Sequence, residues 1–266
     1  ILGGLLTFTP LGPYGVYGIS DALNRDTYQG QVDSFRSAAL DSWDIDTHAE
    51  ASALVGRTKA QLDQMPRYAP MKGYTAYVAY MADMRFGNNP QRDAIGQQAL
   101  AGIPPEEQHP LVGLGKAAQA AAKGQTGAAN TQLNAVRSSL PGDVDVLVLA
   151  GELALACHSY KEALAEFTEA NGIRKSARTL YGMARAEIAL GKDDEADAHA
   201  AEALKLSKNH AGARSLRATL MWRDDNKSQT ALEMLAEVVA DGPVKQAAST
   251  KELVLAYSLL GDIYLS

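Results

Sequence analysis

The chain has 266 residues, of which 46% are apolar but only 6% aromatic, and a formal net charge of −6. Sparse aromatics amid many alanines suit close helix packing rather than a large sheet, and no run of alternating β-branched residues appears. The negative balance disfavours a phosphate backbone as partner, so no nucleic acid is expected; the single cysteine, Cys157, excludes an internal disulfide and a thiolate metal cluster.

Residues 1–20 carry no charged side chain and begin at Ile1. The densest apolar part, Ile1–Phe8, would extend only about 12 Å as helix, against a hydrocarbon thickness of about 30 Å. Three readings follow. Residues 1–26 form the distal end of a single-pass transmembrane anchor, with Tyr14 and Tyr17 at headgroup depth. Alternatively they are an apolar arm on the first repeat, or the remnant of a signal peptide. Pro10 and Pro13 weigh against the anchor. Between Asp21 and Arg36 stand three aspartates against two arginines and no lysine, which places the repeats on the extracytoplasmic (periplasmic) side if the anchor exists.

Helices are predicted in order from there. Thr27–Leu40 sets Tyr28, Val32, Phe35 and Leu40 near one face. Thr47 and Glu50 have capping-box spacing and open a helix running to about Met65, where Pro66 ends it. Residues 27–74 thus read as a degenerate first hairpin region. From residue 75 onward the pairs become regular: Thr75–Phe86 with Gln91–Ala101, Leu111–Lys123 with Gly127–Ser138, Val144–Cys157 with Tyr160–Ala170, Ala177–Leu190 with Asp193–Leu206, and Ala211–Trp222 with Ser228–Ala240. A last helix, Ala247–Leu260, is expected to turn at Gly261 and to leave Leu253, Tyr257 and Leu260 uncovered. The chain is therefore expected to be an internal piece of a longer protein, truncated at both ends, with residues 75–266 a truncated solenoid.

The organising signal is a period. Ala94, Ala129, Ala163, Ala196 and Ala231 stand 33 to 35 residues apart. Four residues after each come Gln98, Leu133, Phe167, Ala200 and Leu235, and seven after come Ala101, Val136, Ala170, Ala203 and Val238. Offsets of four and seven share one helix face, so each interval contains a helix with the same buried stripe. A period of this length implies stacked helical hairpins.

Gly124 and Gly191 precede their alanines by five residues, His158 takes that place before Ala163, and Pro141 and Pro243 close two repeats. With Tyr160 in the aromatic slot two residues after His158, these stretches resemble the tetratricopeptide repeat (TPR) family over roughly residues 75–266. Gln98, Lys175 and Lys208 depart from its pattern. The resemblance implies an all-α, right-handed solenoid of about five to six hairpins, with the first helix of each lining a concave groove. Mapped onto this chain, the implied protein-binding groove contains Asp83, Phe86, Leu114, Ala118, Glu152, Leu155, Tyr181, Arg185, Ile188, Thr219 and Trp222. The family's chaperone-tail receptors use Lys and Asn one turn apart on the first helix. The corresponding pairs here, such as Leu114 with Ala118 and Tyr181 with Arg185, do not fit that subtype.

No catalytic constellation stands out. None of the five histidines forms a helical i, i+4 metal pair, and Cys157 and His158 are adjacent, about 100° apart on a helix. Asp193, Asp194 and Glu195 open a helix, where carboxylates complement the dipole, and they lack the spaced ligands of a calcium loop. Gly113-Leu-Gly115 has no strand before it and makes no phosphate loop. No enzyme activity, cofactor or metal is expected.

The reading is a scaffold or adaptor that binds a protein segment in its groove. Neighbouring subunits are expected at its exposed ends, with membrane contact through residues 1–20. The favoured setting is a bacterial envelope machine for secretion, pilus assembly or motility. The alternative is the sensor or docking region of a larger signalling enzyme. In this register Arg185→Glu weakens a partner without unfolding the chain, whereas Phe167→Ala empties the interior.

Overall fold

The computed structural model describes residues 24–223 and 228–265, and residues 1–20 with their three readings lie outside them. The described residues form fourteen helices and no strand. In chain order the helices are α1 (Arg25–Ile45), α2 (His48–Gln64), α3 (Ala69–Phe86), α4 (Pro90–Leu100), α5 (Pro110–Ala122), α6 (Thr126–Ser139), α7 (Val144–Ala156), α8 (Tyr160–Ile173), α9 (Ala177–Ala189), α10 (Asp193–Leu206), α11 (Ala211–Trp222), α12 (Ser228–Val239), α13 (Pro243–Ala247) and α14 (Thr250–Leu265). Five hairpins, α3/α4 through α11/α12, stack into an all-α solenoid of TPR-like hairpins, as the period requires.

Local chemistry sets the starts. Thr47 accepts from the Glu50 backbone N–H, Asn89 from those of Gln91 and Arg92, and Asp143 from those of Asp145 and Val146. Each removes one or two of the donors that a helix start leaves unpaired. The helix expected from Thr75 begins at Ala69, because Pro70 fits the first turn, where no N–H is needed.

The stripes repeat as the period predicts in four hairpins. Ala129, Leu133 and Val136 are buried, as are Ala163, Phe167 and Ala170, then Ala196, Ala200 and Ala203, then Ala231, Leu235 and Val238. The first hairpin corrects the register. Ala94 and Gln98 are exposed, and the buried positions of α4 are Arg92, Gly96 and Ala99, two residues earlier. A Cβ on Gly96 would fall 2.5 Å from the Tyr80 ring, so that ring fills the space an alanine stripe fills elsewhere.

Close approaches hold the stack. A Cβ on Gly73 would lie 2.3 Å from the Leu111 carbonyl oxygen, and one on Gly115 would lie 2.3 Å from that of Gly73. Backbone therefore meets backbone where α3 crosses α5. The helix α3 is buried on every face, since α1, α2, α4, α5 and α14 all pack on it. In the middle of the stack the Phe167 ring lies between Gly151 of α7 and Gly182 of α9.

The turn between α7 and α8 shows the repeat logic at one residue. Gly124 and Gly191 adopt φ of 71° and 73°, and His158, in the same place, is held at 57°. A side chain in the left-handed region costs about 1 kcal/mol. The His158 ring recovers part of this through a 2.7 Å hydrogen bond with the Tyr160 hydroxyl. The variant His158→Gly is expected to unfold at higher denaturant, by roughly 0.5–1 kcal/mol, with an unchanged m-value.

At the C-terminal end the helix breaks earlier than the sequence suggests. The short α13 stops at Ala247, and Ser249 and Glu252 form a reciprocal cap that starts α14. Ser249 donates through its N–H and hydroxyl to the Glu252 carboxylate, and the Glu252 N–H donates back to Ser249 Oγ. The helix then runs through Gly261 without turning. Its covered stripe is Glu252, Ala256, Leu259 and Ile263, with Leu253 and Leu260 half-buried; of the expected uncovered trio only Tyr257 is exposed.

Among the described residues, no helix is long and apolar enough to cross a membrane. That corrects the expected single-pass anchor and the membrane-bound, periplasmic placement built on it.

Candidate interaction face

The expected groove is not empty; the first and last described helices, α1 and α14, occupy it. Along one side runs α1, about 31 Å long. Its contacts fall in sequence at the N-terminal ends of α3, α7, α9 and α11, the first helices of four of the five hairpins. Gln29 accepts from the hydroxyl of Tyr68, which precedes α3. Arg36 donates at 2.7 Å to Asp143, the cap of α7, and its guanidinium lies 5.4 Å above the Tyr74 ring of α3. Asp41 and Asp44 each accept at 2.6 Å from Arg174, just before α9, and the Trp43 ring lies 4.7 Å beneath the Arg178 guanidinium in the first turn of α9. Asp46 ends the series, reaching Arg85 of α3 and His210, the cap of α11.

Asp46 is the centre of a buried polar cluster. Its carboxylate accepts from Arg85 at 2.9 Å and from His210 Nε2 at 2.9 Å. His210 Nδ1 accepts the Ala213 backbone N–H at 3.1 Å, which turns Nε2–H toward the Asp46 carboxylate. Burial pushes the Asp46 carboxyl up, but the Arg85 charge and the His210 hydrogen bond outweigh it and hold the group at about 2. The Arg85 guanidinium also lies 4.5 Å over the Tyr181 ring and 3.6 Å from Glu252 at the start of α14. A second buried group joins α3, α7 and α9: the Tyr77 hydroxyl donates to Asp145 at 2.9 Å and accepts from Arg178 at 2.7 Å.

The other filler is the start of α14. Lys251 packs against Gly87, its Cβ 3.6 Å from where a Cβ on that glycine would stand, and burial lowers its ammonium pKa. Together Lys251 and Glu252 lie among Arg85, Arg185 and Glu152.

The structure sorts the sequence-predicted site residues. Glu152, Tyr181 and Arg185 come together, with Arg185 donating to Glu152 at 2.6 Å and the Tyr181 ring tilted against His210. Asp83 is buried and accepts at 2.6 Å from Arg92 of α4, so it ties a hairpin together and faces no partner. Phe86 is buried against His48 and the Arg85 guanidinium. Leu114 and Ala118 are fully buried in the α3/α5 contact and have no surface to offer. Leu155, Ile188, Thr219 and Trp222 are half-buried; Thr219 donates to the Ser215 carbonyl, and Trp222 packs in the α11/α12/α14 cluster.

Sequence reasoning missed Asp46, Arg85, Arg178, His210 and Glu252. Asp46 and His210 are 164 residues apart and Tyr77 and Arg178 are 101 apart, so no local pattern links them. A weak signal exists at Arg85, a cation in the last turn of a helix that is buried almost throughout.

Arg185→Glu accordingly does not leave the fold untouched. It would place a second carboxylate beside the buried Glu152 and leave both without a donor. Because Arg185 is 28% exposed, solvent screening tempers the penalty, and we expect a loss of about 1–3 kcal/mol in urea unfolding. Arg185→Lys should recover most of it.

These features define a TPR-like helical-repeat protein whose inner face is lined by arginine, aspartate and aromatic side chains. One solved structure agrees on the fold, and a second bears a weaker likeness. A tetratricopeptide repeat protein from Parabacteroides merdae superposes with a TM-score of 0.50 at 19% identity, over 88% of this chain and 86% of that one. Yeast Tom70 gives a TM-score of 0.47 at 12% identity, over 82% of this chain and 59% of that chain. No protein-family model and no curated protein matches the sequence.

Proposed function

We propose that the chain is a non-catalytic protein-interaction scaffold that holds a protein segment along the inner face of its solenoid. The observation that carries this reading is the seat of α1. A helix lies across the N-terminal ends of α7, α9 and α11, held by ion pairs and one aromatic anchor, which is how such a face would grip a segment of another protein. Of the positions expected in the groove, Leu155, Arg185, Ile188, Thr219 and Trp222 keep access to solvent and belong to the proposed face. Leu114 and Ala118 do not. The narrower role in a bacterial envelope machine rests on residues 1–20, and the solenoid adds nothing to it.

A photo-reactive amino acid placed at Leu155 or Ile188 is expected to crosslink a discrete partner in the native host. The same group at Gln98, on the outer side of α4, should give none. Equal labelling from both sides would count against an inner binding face.

A further inference from the structure

Three features make α1 more like a bound ligand than a layer of the core. Only Val32, Ala39 and Trp43 of its 21 residues are fully buried, whereas α3 buries residues on every side. Its C-terminal end carries Asp41 and Asp44, with Asp46 as cap and no basic residue in the last turn. Carboxylates there oppose the helix dipole, so this end is disfavoured as an isolated helix. The receiving surface offsets that penalty: Arg174 takes Asp41 and Asp44, and Arg178 lies on Trp43. Resting on the scaffold reading above, we propose that α1 is a built-in occupant of the inner face. The external partner is an acidic amphipathic helix with a tryptophan between its carboxylates, and it takes the seat when α1 leaves.

The seat supplies the selectivity. Arg178 stands in the first turn of α9, where the positive end of the helix dipole adds to its guanidinium charge, and Arg174 caps α8 just before it. Asp143 at the start of α7 sits one hairpin away and takes a cation, Arg36. A competing helix therefore needs a basic residue about two turns before its tryptophan, as Arg36 stands before Trp43. Asp46 stays fixed to Arg85 and His210 during the exchange, so α1 pivots at the junction with α2 and the central cluster survives.

The test uses the full chain and a dye-labelled synthetic peptide of residues 25–46. In Trp43→Ala/Asp44→Arg the anchor and one carboxylate are lost from α1. Amide exchange of α1 should accelerate at least tenfold while α9 and α11 keep their protection. Fluorescence anisotropy should show the peptide binding this variant at least tenfold more tightly than it binds the wild type, and less tightly as salt rises. A peptide with Asp41→Arg and Asp44→Arg should bind neither protein. Arg174→Asp should reverse that preference, binding the charge-reversed peptide and refusing the native one. If α1 exchange does not rise, or if α9 and α11 lose protection with it, α1 is part of the core and the proposal is wrong. If α1 is freed and the native peptide binds no better than to the wild type, the seat is not a ligand site. The scaffold reading would then stand or fall separately on the crosslinks from Ile188.

Discussion

Phe167→Ala is expected to destabilise the chain by about 3–5 kcal/mol, more than any other single truncation in the repeat stripes. The ring is fully buried, and both helices that face it meet it with glycine. A Cβ on Gly151 would lie 2.7 Å from the ring and one on Gly182 2.5 Å. Neither neighbour has a side chain able to swing into the vacated space, so the cavity would stay largely open, and cavity volume is what separates costly truncations from mild ones. Equilibrium unfolding in urea checks it. A loss below about 1 kcal/mol would mean that α7 and α9 collapse onto each other. Phe167→Leu, which keeps most of the volume, should cost less than half as much.

The second large effect belongs to Asp46. Asp46→Asn keeps a residue that tolerates the φ of 49° at this cap but removes the charge that Arg85 and His210 share. Arg85 keeps Glu252 at 3.6 Å, so the expected cost is about 3 kcal/mol, the lower part of the range for breaking a buried pair. The same group sets an acid limit. Its folded-state pKa is depressed from 3.8 to about 2. Its contribution is therefore fully present above about pH 4 and is lost as pH falls from there through about 2. The difference corresponds to about 2 kcal/mol. Acid unfolding of the wild type should steepen in that window, and Asp46→Asn should flatten it. An unchanged acid profile would show that Asp46 titrates as it does in the unfolded chain.

Much of the repeat was legible in the sequence because it depends on near neighbours. Alanine at the first stripe position, with further apolar groups four and seven residues on in four of the five hairpins, is a property of one helix, and the turn glycines and capping residues act within four residues. The same locality explains the slip at α4, where Ala94 and Gln98 imitate the stripe. Only the Tyr80 ring of another helix, against Gly96, shows which residues turn inward. The groove residues were legible only as positions. Ala118 and Glu152 occupy equivalent places on α5 and α7, yet one lies inside the α3/α5 contact and the other pairs with Arg185.

What the sequence by itself determined is the unit and its period: helical hairpins, their caps and their inward stripes. The tertiary structure decided what fills the inner face. Whether α1 crosses the starts of α7, α9 and α11, and whether Asp46 meets Arg85 and His210, depends on how the solenoid curves. That curvature accumulates from small rotations at every hairpin contact, such as the glycine-mediated approach of α3 to α5. Groups from distant parts of the chain then come within hydrogen-bond reach, where burial makes their charges decisive.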